Sequence, residues 1–186
     1  MCIYLSYGLV LILPIAAVLV AARGRPATGA WVGLGFLLVV ALVTSLGFNW
    51  WSGYQLVTER YSAGLGGVRN YGYWAWANLA AFALACGPAV VVGVRRLLAG
   101  ARWAGTWSVI RDPRNTMSVI VGTTLVMVAV ATLGGLSKGE VERIWLPFGG
   151  VLLLACVAIP ASRARLWLIA QVVLVLCIQN LVMTPW

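Results

Sequence analysis

The chain has 186 residues, 62% of them hydrophobic and only 9% charged, too little charge to cover a water-soluble domain of this size. Thirteen Lys and Arg against four Asp and Glu leave a net charge of +9. The cations fall between hydrophobic runs, so they read as orientation signals of a membrane protein and exclude a nucleic-acid surface.

About six helices of about 20 residues would fill the chain and leave no room for a soluble domain. The expected fold is an all-α, polytopic transmembrane helix bundle forming one domain over residues 1–186. The first apolar run, near 3–22, has no basic residue ahead of it and is followed by Arg23-Gly24-Arg25-Pro26 instead of a small-residue cleavage site, which predicts a retained helix. The second, near 28–47, carries Gly29 and Gly33 at a close-packing spacing. Further spans are predicted near 73–94, 117–135, 145–161 and 166–184. The fifth is short and bounded by Pro147 and Pro160, features it shares with re-entrant segments. Asn78, Gln171, Gln179 and Asn180 lie within apolar runs, where interhelical hydrogen bonding is their expected role.

The first, third and fifth loops hold nine cations and Asp112, a net +8, whereas the second and fourth hold Arg60, Arg69, Lys138 and Arg143 with Glu59, Glu140 and Glu142, a net +1. The positive-inside rule then places both termini outside and nearly all carboxylates on the extracytoplasmic face of a cell-membrane protein. The third loop, Arg95 to Thr116, reads as a topology determinant, with Arg111-Asp112-Pro113-Arg114 as a turn before the fourth helix.

Two extracytoplasmic stretches could carry chemistry. Phe48 to Trp76 is rich in Trp and Tyr and also contains Tyr54, Glu59, Arg60, Tyr61 and Arg69. An aromatic belt explains its flanks, but the charged middle is too long for a tight hairpin. Aromatic faces beside carboxylate and guanidinium suit a sugar, and Arg binds phosphate oxygens bidentately. In the fourth loop, Ser137 and Glu140 have the spacing of a capping box, while Glu140 and Arg143 would share a helix face and Glu142 would point elsewhere. The candidate binding set is therefore Tyr54, Glu59, Arg60, Tyr61, Arg69, Glu140, Glu142 and Arg143.

Histidine is absent, and Cys2, Cys86, Cys156 and Cys177 are not at metal-site spacing, so neither a zinc site nor a disulfide framework is expected. No nucleotide-phosphate, zinc-protease or nucleophile-elbow motif is present and no acids form a DxD, which argues against a self-contained metal-dependent centre. No cofactor is expected. Twelve of the thirteen cations are Arg, a codon bias that points to a GC-rich bacterial genome.

The run from Phe48 to Val94, with Glu59-Arg60-Tyr61, Gly66-Gly67 and Tyr73-Trp74-Ala75-Trp76-Ala77-Asn78-Leu79, and the run from Gly139 to Phe148, GEVERIWLPF, resemble the C-terminal half of actinobacterial polytopic membrane proteins related to the GT-C class of glycosyltransferases. The likeness covers about half of the chain. It implies use of a polyprenyl-phosphate sugar on the extracytoplasmic side, with Glu59, Arg60, Tyr61, Arg69, Glu140, Glu142 and Arg143 helping to form the lipid-phosphate and sugar cavity. The early loop that bears the catalytic acid in that class has no counterpart here, so no residue is assigned as the catalytic base. Two functions follow as expectations: a transferase module binding membrane lipids and a polyprenyl-phosphate sugar in a roofed outer cavity, or a non-enzymatic subunit or scaffold that assembles with a partner membrane protein.

Overall fold

A computed structural model of the protein describes residues 7–23, 26–101, 112–136, 138–139 and 141–181, and among them every regular element is a helix. A 3-10 turn, Tyr7–Ile12, runs into α1 (Leu13–Arg23), and α2 (Pro26–Ser45) follows. Next come α3 (Trp50–Ala63), the single turn α4 (Leu65–Val68), α5 (Tyr71–Cys86) and α6 (Pro88–Ala99). The chain continues through α7 (Pro113–Leu133), the short α8 (Val141–Ile144) and α9 (Leu146–Leu152) with its 3-10 extension Leu153–Ala158, and ends in α10 (Ala161–Leu181).

Three helices are long and apolar enough to cross a membrane: Ala27–Ser45 of α2, Asn115–Leu133 of α7, and Ala161–Leu181. At 1.5 Å per residue each reaches about 30 Å, the thickness of a bilayer's hydrocarbon layer. Together α5 and α6 pass the same test, but they meet at 96°, and Val10–Ala22 and Leu146–Ala158 are shorter apolar helices. The chain is a helical protein with the build of a membrane protein.

The core is centred on α7. Ile120, Val121 and Val128 pack with Ile15 of α1, Phe82 of α5, Val90 of α6, Val141 of α8, Trp145 at the start of α9, Phe148 and Leu152 of α9, and Ala155 of its extension. Phe82 meets Trp145 edge to face at 5.4 Å between ring centroids, an orientation favoured by the ring quadrupoles. Thr124 is fully buried and donates its hydroxyl to the Ile120 carbonyl at 2.8 Å, so no polar group is orphaned there. By contrast, α3 and α10 have no buried residue, and neither does the apolar window of α2.

Three expectations are corrected. The continuous span over 73–94 is broken, because Gly87 adopts φ 80°, ψ 171° between α5 and α6. Pro88 disfavours a helical conformation in the residue before it, and only glycine readily takes this one. The stretch expected to be a loop at 48–72 is mostly helical. Asn49 starts α3 by accepting from the N–H groups of Trp51 and Ser52 at 3.0 and 3.2 Å, and Asn70 starts α5 by accepting from that of Tyr73, the role for which an N-cap Asn is favoured. Finally, Gln171 and Asn180 make no interhelical hydrogen bond among the described residues: Asn180 donates to Leu176 of its own helix, and the Gln171 Oε1 is buried without a partner. The short fifth segment is as expected in having Pro147 in the first turn of α9, where a missing N–H costs nothing.

Candidate functional site

Where α3, α4, α5 and the strap between α7 and α8 come together, the two candidate stretches meet on Lys138 and Gly139. One face of α3 carries Trp50, Tyr54, Thr58 and Tyr61, all partly buried, at the spacing that puts side chains on a single helical face. At the far end of that face the Tyr61 hydroxyl accepts from the Lys138 main-chain N–H at 2.7 Å. The Lys138 carbonyl accepts from the Arg69 guanidinium, and the Lys138 ammonium donates to the Gly66 carbonyl at 2.8 Å. Asn78, buried in the second turn of α5, accepts from the Gly139 N–H through Oδ1 at 3.1 Å. Trp74 lies one turn before Asn78, and its ring centroid is 4.6 Å from the Arg69 Cζ, within range of a cation–π attraction.

The residues on this clasp are 61 to 77 positions apart in pairs such as Asn78–Gly139 and Tyr61–Lys138. Gly139 sits at φ 100°, and a Cβ there would fall on the Arg69 guanidinium and the Trp74 ring. The strap can therefore lie this close to α5 only with glycine at that position.

The clasp holds two cations, Arg69 and Lys138, both partly buried. Main-chain oxygens and an aromatic face offset part of their desolvation. A guanidinium has five N–H donors and an ammonium three, so the one hydrogen bond that each makes to a described residue leaves donor capacity for phosphate or hydroxyl oxygens. Tyr54 stacks on Trp50 and Trp51 with centroids 5.6 and 5.7 Å apart, a flat apolar face two turns along α3 from Tyr61.

The candidate set is thus divided. Tyr61 and Arg69 are in the clasp, and Tyr54 is on the same helix face as Tyr61. Glu59 and Arg60 are exposed on α3 and take no part in the clasp. Glu142 and Arg143 lie on α8, which begins two residues beyond Gly139. Their side chains are outside the described residues, as are Glu140, the Ser137–Glu140 capping box and the Glu140–Arg143 pairing. Lys138, Asn78 and Trp74 are site residues that the sequence reading left out of the set. Lys138 could have drawn notice as the lone Lys among thirteen cations, and Asn78 as a polar residue in an apolar run.

Among the described residues no three His, Cys, Asp or Glu side chains group as a metal site. The groups that the clasp brings together are two cations, a phenol, a carboxamide and an indole face. No protein-family model matches the chain, and no curated protein or solved structure is significantly similar to it.

Proposed function

We propose that the chain is a multi-pass protein of the bacterial cell membrane, with six crossings and both termini outside, that binds a polyprenyl-phosphate sugar at its outer face. Six crossings take in the three long helices, the bent α5–α6 pair and the two shorter apolar helices. The observation that carries the binding reading is the convergence of Arg69 and Lys138 on one clasp, beside α8 with its Glu142 and Arg143. Charge-assisted hydrogen bonds from two cations suit a lipid phosphate. The Trp50–Tyr54–Trp51 stack offers a face for a sugar ring or prenyl chain. In this reading the protein works as part of a lipid-linked-sugar glycosyltransferase, with binding assigned to the clasp and no residue assigned to the transfer step.

The second reading is a subunit or scaffold that assembles with a partner membrane protein. What favours it is that α2 and α10, two of the three long apolar helices, bury none of their span windows within the chain.

Native mass spectrometry of the nanodisc-embedded protein with polyprenyl-phosphate sugars separates the two. Binding predicts retention by the wild type, with a loss of about tenfold or more in Arg69→Gln or Arg143→Ala, the value of one charge-assisted bond. Circular dichroism checks that each variant keeps its helices. If several lipid-linked sugars all fail to be retained by wild type, the assembly reading stands.

A further inference from the structure

At the other end of α7 from the clasp, the C-terminal turn of α6, the first turns of α7 and the end of the 3-10 extension border a partly open cavity of about 660 Å³. Its polar lining includes Arg96, Asp112, Asn115 and Ser118, and its apolar lining includes Met117 and Val157. Asn115 and Ser118 are buried, and Ser118 donates its hydroxyl to the Leu97 carbonyl at 3.3 Å, which ties α7 to α6. The volume is that of a small-molecule site. From Asn115 to Thr132, whose carbonyl accepts from the Tyr71 hydroxyl beside the clasp, α7 rises about 25 Å. The cavity and the clasp are therefore separated by close to the thickness of a bilayer's hydrocarbon layer.

We infer that this cavity holds the headgroup of a membrane phospholipid, with the phosphate on Arg96 and an ammonium group toward Asp112. Arg96 is exposed at the last turn of α6, and its guanidinium and the Asp112 carboxylate line the same space. A ligand carrying both charges complements the two walls. A carboxylate can accept more than one hydrogen bond, so Asp112 can receive an ammonium alongside its existing contacts. The apolar side chains of Met117 and Val157 suit the glycerol backbone and first methylenes of an acyl chain, which a soluble phosphate ester lacks. Phosphoethanolamine, with a primary ammonium that can donate hydrogen bonds, fits better than phosphocholine or phosphoglycerol. This site is independent of the sugar-lipid site proposed above.

Native mass spectrometry of the full chain in nanodiscs doped with phosphatidylethanolamine, phosphatidylglycerol or phosphatidylcholine provides the test, with Arg96→Gln, Arg95→Gln and Asp112→Asn. Arg95 is the exposed neighbour that does not line the cavity. The wild type should retain phosphatidylethanolamine preferentially, and Arg96→Gln should lose about tenfold of that retention. Arg95→Gln should lose less than about threefold, and Asp112→Asn should lose the preference over phosphatidylglycerol. Glycerol phosphoethanolamine added in solution should not displace the lipid, whereas displacement would assign the site to a soluble phosphate ester. Equal losses in Arg95→Gln and Arg96→Gln would reduce the effect to diffuse charge and overturn the site. So would equal retention of all three lipids.

Discussion

Lys138 uses its main-chain N–H toward α3, its ammonium toward α4 and its main-chain carbonyl toward Arg69 in the link from α4 to α5. Removing the acceptor of one of these leaves a partly buried N–H unsatisfied. Tyr61→Phe should therefore lower stability by about 1 kcal/mol and speed hydrogen exchange at the Lys138 amide. Gly139→Ala should cost more, about 2 kcal/mol or above, because the positive φ alone costs about 1–2 kcal/mol and the added methyl must also displace the Arg69 guanidinium. Thermal unfolding in detergent, followed by helical circular dichroism, measures both. Equal melting of the wild type and Gly139→Ala would mean that the strap does not hold the close approach described. Tyr61 and Arg69, which the structure brings together on Lys138, stand out in the sequence because their stretch is dense in aromatic and charged groups. Their partners do not, because they are the N–H and C=O of Lys138, and main-chain groups are the same at every position. Asn78 was read as a helix-to-helix bond for the same reason: its partner is the Gly139 N–H.

At the scale of elements, the break between α5 and α6 shows what a hydropathy reading misses. Residues on both sides of Gly87-Pro88 are apolar, so the run looks continuous although the axis turns by 96°. The dipeptide itself marks a turn, but apolar length outweighed it. The Gln171 carboxamide of α10 lies directly where a Cβ on Gly87 would go, so the break is fixed by two independent requirements, backbone conformation and space. Gly87→Ala should destabilise through both, with the backbone part about 1–3 kcal/mol. Gln171→Ala in the same chain should restore the steric part and leave the backbone part. A double-mutant cycle on thermal or denaturant unfolding should then show a coupling of about 0.5–3 kcal/mol. Zero coupling would mean that Gln171 does not pack on the break. The helix α3 was also missed, because its Trp and Tyr residues read as an interfacial aromatic belt and its start is set by a single side chain, Asn49.

For the whole molecule, the six apolar segments were visible in the sequence, but the direction of the one bounded by Pro147 and Pro160 was not. Leu146–Ala158 combines seven α-helical and six 3-10 residues, a reach of about 22 Å and short of a bilayer's hydrocarbon layer of about 30 Å. Its ends nevertheless lie far apart in the fold. Gly139, shortly before it, is bonded to Asn78 in the clasp, whereas Val157 and Ala158 line the cavity at the start of α7. The segment thus covers the same interval as α7, and the flanking Arg163 and Arg165 favour an inner position for its far end. Single cysteines in a chain freed of its native ones, probed with a membrane-impermeant maleimide, test this. Ser62→Cys on α3 should label in intact cells, and Ala99→Cys and Ser162→Cys only after permeabilisation. Labelling of Ser162→Cys in intact cells would make the segment re-entrant, reduce the proposed six crossings to five and place the C-terminus inside. The charge bias would then be carried by the first and third loops alone, since Arg163 and Arg165 would face outward.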